Sequence, residues 1–392
     1  MIRQRIGLLA LAATLAFTAG GVSPALSADP YEINVIMPLT GGGAFIAGTQ
    51  QKSLKVLEDL TNKDGGIQGH PLHFNFLDDQ TNPQVTVQLA NGLIAKKVPV
   101  VMGSSLSGMC KAIAPLFAAN GPVHYCNSPA IYPAKGSYVF TASVSTRDLL
   151  FATVRFFREK GWTKIAMLAT TDASGQDGDH DLADALTFPE NKSVTLVAHE
   201  HYNPSDVSAT AQVARIKAAG PQAMIIWAPG TPFGTALHAV NEVGLDIPLA
   251  TTSANMVSAQ LKGYAAFAPK YLVAPGLTYA AGIAPTPQVA AAQKVYANAL
   301  KAAGLLPYDV QAGLTWDAAS IVIDAVKHLG VNATADQIRG YIDGLTDYAG
   351  ITGVYNFADI PQRGVAIHDV VMQQWDFGKS QWINVSKAGA AL

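Results

Sequence analysis

The chain reads as an α/β protein made of β–α repeats: two Rossmann-like lobes, each around a mostly parallel sheet. Three observations predict this. Val98–Met102, Lys164–Ala169 and Ala223–Trp227 are short apolar runs without alternation, as in strands buried on both faces of a parallel sheet. Between such runs lie segments with a helical period, for example Val85, Leu89, Leu93 and Ile94 on one face. The 392 residues leave room for two domains, and the alternation of strand and helix continues across most of them.

Composition narrows the function classes. Hydrophobic residues make up 49% and charged ones 14%, so a large core is affordable in surface terms. The formal net charge of -2 offers no basic field to nucleic acid or to an anionic membrane surface.

The first 28 residues have the pattern of an export signal. Arg3 and Arg5 precede the apolar stretch Ile6 to Val22, and Ala25-Leu26-Ser27-Ala28 places cleavage after Ser27 or Ala28. An uncleaved anchor is the alternative. No cysteine stands at the end of the apolar stretch, so a lipid anchor is not expected, and no later stretch is long enough to span a bilayer.

Tyr31 to Met37 is the first strand. Thr40-Gly41-Gly42-Gly43-Ala44 turns into a helix through Gln50 to Leu60. No Gly-Lys-Ser/Thr follows these glycines, which argues against a phosphate loop. Asp64 to Gly69 forms a reversal with Gly65, Gly66 and Gly69. A strand at His73–Leu77 follows. Asn82-Pro83 then opens a helix from Gln84 to Lys97, with proline in its first turn. Val98–Met102 leads through the loop Gly103 to Gly108 into a helix Cys110–Ala119, then strands Pro122–Tyr125 and Val139–Ala142.

The second series begins with helix Asp148–Lys160, stopped by Gly161. Strand Lys164–Ala169 is followed by a turn at Thr171–Gly175. Then come strand Val194–His201, helix Ala209–Ala219, strand Ala223–Trp227, helix Thr235–Val243 and strands Pro248–Thr251 and Leu272–Ala274. The pattern loosens at Pro275–Pro287. Three helices follow, Gln288–Ala303, Ala312–Leu329 and Thr334–Leu345, and the chain ends in hairpin material at Gly353–Phe357, Val365–Trp375 and Trp382–Val385.

Catalytic patterns are weak. Ser105 and Ser107 follow a strand and precede a helix, but the Gly-x-Ser-x-Gly spacing is missing. A hydrolase using either would need a histidine base, and His124 is the nearest in sequence. His199 and His201 share one face of a strand, with Glu200 on the other, and read as a solvated face in the absence of further ligands. Neither catalysis, nor a metal, nor a cofactor is expected. Cys110 and Cys126 are either a disulfide or two buried thiols.

Gly65-Gly66-Ile67-x-Gly69, a strand, Asp78-Asp79-x-x-x-Pro83, a helix, a strand and a Gly/Ser loop form an ordered series. It resembles type I periplasmic binding proteins, in the branch of the branched-chain amino acid (Leu/Ile/Val) binding proteins of ABC importers. The resemblance runs from about Glu32 to the C-terminus. It implies a ligand cleft between the lobes and a hinge of three crossovers, placed near Ser145, Thr278 and His368. Lobe 1 is then 29–147 plus 278–367, and lobe 2 is 148–277 plus 368–392.

The resemblance also implies site residues. Phe45 borders the cleft in the first glycine loop. Ser105 and Ser107 lie where a helix N-terminus holds the ligand carboxylate; a plain helix cap is the other role open to Ser107. Asn127 and Ser128 align with residues that grip the amino acid backbone, although Pro129 departs from the pattern. Ser174, with Gly175, takes the place of a family Tyr-Gly. Trp227 and Pro229 lie on a ligand-contacting loop, and Tyr279 is near the second crossover, with Trp316 on a nearby helix. Ser253-Ala254-Asn255 stands where family amino acid binders carry an acid for the ligand ammonium. Without that acid a zwitterion would be costly to bury.

The expectation is therefore a substrate-binding component of an ABC importer, capturing a small carboxylate on an apolar or aromatic body. No Arg or Lys is placed at the cleft, so helix dipole, hydroxyls and amides would hold the anion. Branched-chain amino acids, amides or urea are alternative ligands, and a sensor partnering a receptor is the alternative to transport. A membrane permease is the expected partner, with no nucleic acid, and the chain is expected to be a periplasmic monomer.

Overall fold

A computed structural model describes residues 28–392 except 268, 307 and 308. The expected export signal lies outside the described residues save for its last position.

The first sheet is built from β1 (Tyr31–Met37), α1 (Ala44–Lys63), β2 (Leu72–Asp78), α2 (Pro83–Ala95), β3 (Val100–Gly103), α3 (Ser107–Phe117), β4 (Val123–Cys126) and β5 (Val139–Thr141). Its strands are all parallel, in the order β2-β1-β3-β4-β5. Asn82 caps α2 by accepting from the backbone N–H of Gln84 and Val85, with Pro83 at the first helical position. Ile33, Val35 and Met37 point into the larger core, while Ile36 and Val101 meet Ala90, Leu93, Ile113 and Phe117 beneath α2 and α3. Cys110 and Cys126 form a disulfide, with Cα atoms 6.0 Å apart, tying α3 to the end of β4.

The chain then enters the second sheet through α4 (Thr146–Glu159), β6 (Lys164–Thr170), α5 (Ala173–Thr187), β7 (Thr195–Tyr202), α6 (Thr210–Ala218), β8 (Ala223–Trp227), α7 (Thr231–Val243), β9 (Leu249–Thr251), α8 (Ser258–Gly263) and β10 (Leu272–Leu277). The helices α9 (Pro287–Ala302), α10 (Val310–Leu329) and α11 (Ala335–Asp343) return to the first sheet, where α10 packs along α1. A ribbon of β11 (Tyr348–Ala349) and β12 (Val354–Tyr355) follows. Finally β13 (Val370–Asp376) and β14 (Gln381–Asn384) rejoin the second sheet. That sheet runs β14-β13-β10-β9-β8-β6-β7, with only β13 and β14 antiparallel to their neighbours.

Both parallel series thus share one order: the second strand outside the first, then the third, fourth and fifth on the other side. The order reverses between β1 and β3 in one sheet and between β6 and β8 in the other. Ligands of open α/β sheets bind at the carboxyl ends of strands beside such reversals.

Three expectations need correction. Thr171–Gly175 is not merely a turn, because Ala173 starts the fifteen-residue helix α5. Its buried face is Ser174, Gly175, Gly178, Leu182 and Ala185 with Asp181, so the large apolar stripe that announces a helix is missing. Small residues serve because the sheet comes very close: a side chain at Gly178 would collide with the Trp227 indole. Helix α3 begins at Ser107 rather than Cys110, with Leu106 as its N-cap, so Ser107 is not a capping residue. The strand expected over Val365–Trp375 starts only at Val370, after a 3-10 turn at Ile367–Asp369.

Candidate functional site

The loops after β1, β3 and β4 face those after β6, β8 and β9. Glycines bring the first pair together. Gly230, at φ +79°, precedes α7, and a side chain there would collide with the carbonyl oxygen of Gly42. Next to it the N–H of Thr231 donates to Gly42 O at 3.2 Å, so the glycine loop after β1 contacts the opposite lobe. Phe45, in the first turn of α1, is 43% exposed at this lip.

A buried relay of amides crosses between the sheets. Ser105 Oγ donates to Gln50 Oε1, Gln50 Nε2 donates to Gln311 Oε1 at 2.9 Å, and Gln311 Nε2 donates to the Ser253 carbonyl at 3.1 Å. Gln50 comes from α1 and Gln311 from the start of α10, while Ser253 follows β9. Neither glutamine was foreseen. A glutamine inside a helical period normally marks the solvent face, and only the packing of α1 against α10 turns these two inward.

Asn127 follows β4 and donates its backbone N–H to Ser104 O at 2.9 Å, beside Ser105. Its side chain is 1% exposed, yet neither Nδ2 nor Oδ1 has a hydrogen-bond partner within the protein. Alternation along the strand puts it on the face shared by Tyr125, the α1 side of the sheet. Ser128 is also buried, and its hydroxyl accepts from Ala130 N at 3.4 Å.

The second lobe answers with α5. Ser174, Asp177 and Asp181 lie on one stripe of that helix. Asp177 accepts from the Ser107 hydroxyl and pairs with Lys111, and Asp181 accepts from the Tyr132 hydroxyl at 2.8 Å. Ser107 and Lys111 are one turn apart on α3, so the N-terminal half of α3 receives a carboxylate from across the gap. Further along, the buried carboxylate of Asp309 accepts from the backbone N–H and hydroxyl of Ser258. Burial raises its pKa to about 6 against these hydrogen bonds.

Cations do stand at this boundary, contrary to expectation. Lys111 is one. The other is Arg363, whose guanidinium donates to the carbonyls of Ser143, Pro129 and Ile131 at 2.8, 3.1 and 2.5 Å. It is buried, with a pKa drawn down to about 10 by burial, and stays charged at neutral pH. Both cations are committed to the protein's own groups.

Several anticipated aromatics turn away from the gap. Trp227 is 5% exposed and wedged beneath α5 against Gly178. Tyr279 spends its hydroxyl on the Val310 carbonyl and its ring on Tyr296, and Trp316 also packs edge-on against Tyr296. Large aromatics at sheet ends filled the core here. Pro229 is half-buried in the loop that Asn255 clamps: Asn255 accepts from Gly230 N at 2.9 Å and donates to Ala228 O at 3.0 Å and Thr251 Oγ1 at 2.8 Å. Its amide therefore serves the backbone.

Neither serine has a histidine partner among the described residues. Ser105 bonds Gln50 and Ser107 bonds Asp177. The Nε2–H of His124 is given to the Gly103 carbonyl, with burial lowering its pKa to about 4.

A family model described as "Periplasmic binding protein" matches residues 30–381. The Leu/Ile/Val-binding protein homolog 3 of Brucella melitensis is 27% identical over 218 residues, 54% of this chain and 58% of that protein. The leucine-, isoleucine-, valine-, threonine-, and alanine-binding protein of Pseudomonas aeruginosa is 24% identical over 251 residues, 58% of this chain and 61% of that protein. Each match thus spans under two thirds of the curated relative. Solved folds align further. An extracellular ligand-binding receptor from Rhodopseudomonas palustris superposes with a TM-score of 0.79 at 22% identity, covering 91% of this chain and 100% of that one. A leucine binding protein from Thermotoga maritima gives 0.78 at 16% identity, covering 91% and 97%.

Proposed function

The chain belongs to the periplasmic binding protein family, in its type I, Leu/Ile/Val-binding-protein-like branch, and from that premise we propose that it captures a small carboxylate lacking an α-ammonium group for an ABC importer. The lobes, 29–147 with 278–367 and 148–277 with 368–392, close on the ligand about their crossovers. Residues 1–28 serve as the export signal. No helix among the described residues is long and apolar enough to cross a membrane.

The observation that carries the ligand class is Asn127. A buried primary amide without a protein partner, beside the Ser105 relay, is suited to donate to a ligand carboxylate or carbonyl. The carboxylates Asp177 and Asp181 that α5 presents to the first lobe are engaged by Lys111, Ser107 and Tyr132. A ligand ammonium would compete with Lys111 for Asp177, or would take Asp181, whose partners are the Tyr132 hydroxyl and the exposed His180. Since Trp227 and Tyr279 belong to the core, Phe45 is the one left of these expected aromatics for an aromatic ligand body, with Tyr132 also exposed at the boundary.

A branched-chain amino acid is the second reading. It is favoured by the names of the relatives and by the two carboxylates that α5 turns toward the first lobe.

A thermal-shift screen of ligand-free protein against aliphatic and aromatic acids, amides and branched-chain amino acids separates the two, because a tight ligand raises the melting temperature by mass action. The proposal expects a shift with monocarboxylic acids that Asn127→Ala removes. A shift with leucine or valine and none with simple acids would replace it by the second reading.

A further inference from the structure

The face of α5 turned away from the first lobe carries a second constellation. Asp179 is two residues from both Asp177 and Asp181, which sets it about 200° round the helix from each. It reaches β7, the edge strand of the second sheet. There His199 and His201, two apart and on one strand face, bring their rings to 4.5 Å between centroids. His199 Nε2 meets Asp179 Oδ1 at 2.7 Å, and His201 Nε2 meets Oδ2 at 2.8 Å. One ligand atom from each residue lies within 4.8 Å of the others.

We propose that Asp179, His199 and His201 form a binding site for one divalent transition metal of the zinc class. Two imidazoles and one carboxylate suit a borderline cation, whose bonds of about 2.0–2.2 Å in tetrahedral geometry set ligand atoms roughly 3.3 Å apart. The nitrogens now sit 2.7 and 2.8 Å from the two different carboxylate oxygens, and with all three ligand atoms within 4.8 Å of one another, side-chain rotation by roughly an ångström brings one oxygen and both nitrogens to that spacing. The metal takes the Nε2 lone pairs, each neutral imidazole then carrying its one proton on Nδ1, so that no net proton is lost from either ring. The three side chains are 26–38% exposed, which leaves a path for the ion and room for water at the fourth position. Glu200 does not compete, since it points to the opposite face and pairs with Arg215 at 2.7 Å.

The solvated histidine pair of the sequence thus gains a third ligand from a helix that the sequence had not announced. Its site is separate from the ligand cleft and joins α5, the helix bearing Asp177 and Asp181, to the sheet edge.

The test uses the full exported chain, stripped with EDTA and free of any affinity tag, titrated with Zn²⁺ against a chromophoric chelator. The expected result is one Zn²⁺ per chain. His199→Gln/His201→Gln should bind at least about tenfold more weakly while melting like wild type in EDTA. Should that double variant melt lower in EDTA, Asp179→Asn, which keeps the side-chain shape, is read in its place with the same expectation. No uptake by wild type, or uptake by the folded variant as tight as wild type, overturns the proposal.

Discussion

Asn127→Leu should remove ligand binding without the usual penalty of a buried substitution. Leucine keeps the number and branching of the heavy atoms and replaces an amide whose two polar atoms have no protein partner. Burying such an unpaired group costs about 1–3 kcal/mol in protein mutational data. Slight overpacking by the larger methyl groups offsets part of the relief. The net expectation for the ligand-free protein is a change between about zero and 2 kcal/mol in favour of folding. Urea unfolding followed by fluorescence of the five tryptophans measures it. The contrast is Asn255→Leu. That amide accepts from Gly230 N and donates to Ala228 O and Thr251 Oγ1, so the same substitution strands buried partners and should cost about 2–5 kcal/mol. Binding moves the other way for Asn127: losing a hydrogen bond to a charged ligand group is worth about 1.5–3 kcal/mol, at least tenfold in affinity. A destabilisation by more than about 2 kcal/mol with unchanged affinity would show that Asn127 serves the fold, and the ligand reading would fail with it.

Reduction of Cys110–Cys126 releases a loop of 16 residues and should lower stability by about 3 kcal/mol, read as a shift of the urea midpoint with and without reductant. Asp309 has a folded pKa raised to about 6 against an ordinary 3.8, so its stabilising contribution is full below pH 3.8 and lost as pH rises through 6. The difference amounts to about 3 kcal/mol. Stability of Asp309→Asn, measured against wild type from pH 4 to 7, should lack that fall, and parallel curves would refute the assignment. Asp177→Asn breaks a partly exposed ion pair with Lys111 worth at most about 1 kcal/mol. The ligand-free protein should then show a larger radius of gyration in solution scattering, and an unchanged value would mean that Asp177 does not hold the lobes together.

The strands and most helices were legible because parallel sheets demand apolar runs, and because Asn82-Pro83 and Gly161 punctuate the chain in a recognisable way. Helix α5 was not, for a definite reason. Apart from Leu182 and Asp181 its buried face is glycine, serine and alanine, which allow the close approach to Trp227 and Thr170, so the hydrophobic period that betrays a helix is faint. The site suffered from the same gap. Asp177, Asp179 and Asp181 alternate along the sequence, and only the helix sets Asp179 on a different face from the other two. Gln50 and Gln311 are 261 residues apart, and nothing local marks either as buried. The aromatics misled in the opposite direction. Trp227 and Tyr279 sit at strand ends, where ligand contacts are common, but large rings at sheet ends also close the core.

Identical strand order in the two sheets explains why the fold says little about the ligand. Each sheet supplies a reversal point, and the crossing connections set the two face to face whatever the loops contain. Chemistry enters through a few side chains at those ends: a relay of neutral amides from Ser105 to Ser253, the unpaired amide of Asn127, and carboxylates on α5 already matched by Lys111 and Tyr132. A zwitterion needs one free charge of each sign in such a gap. Here Asp177 is paired with Lys111 across it, Asp181 meets the neutral Tyr132 hydroxyl and Arg363 is spent on backbone carbonyls, and the proposed reading leaves recognition to groups that donate or accept without carrying charge.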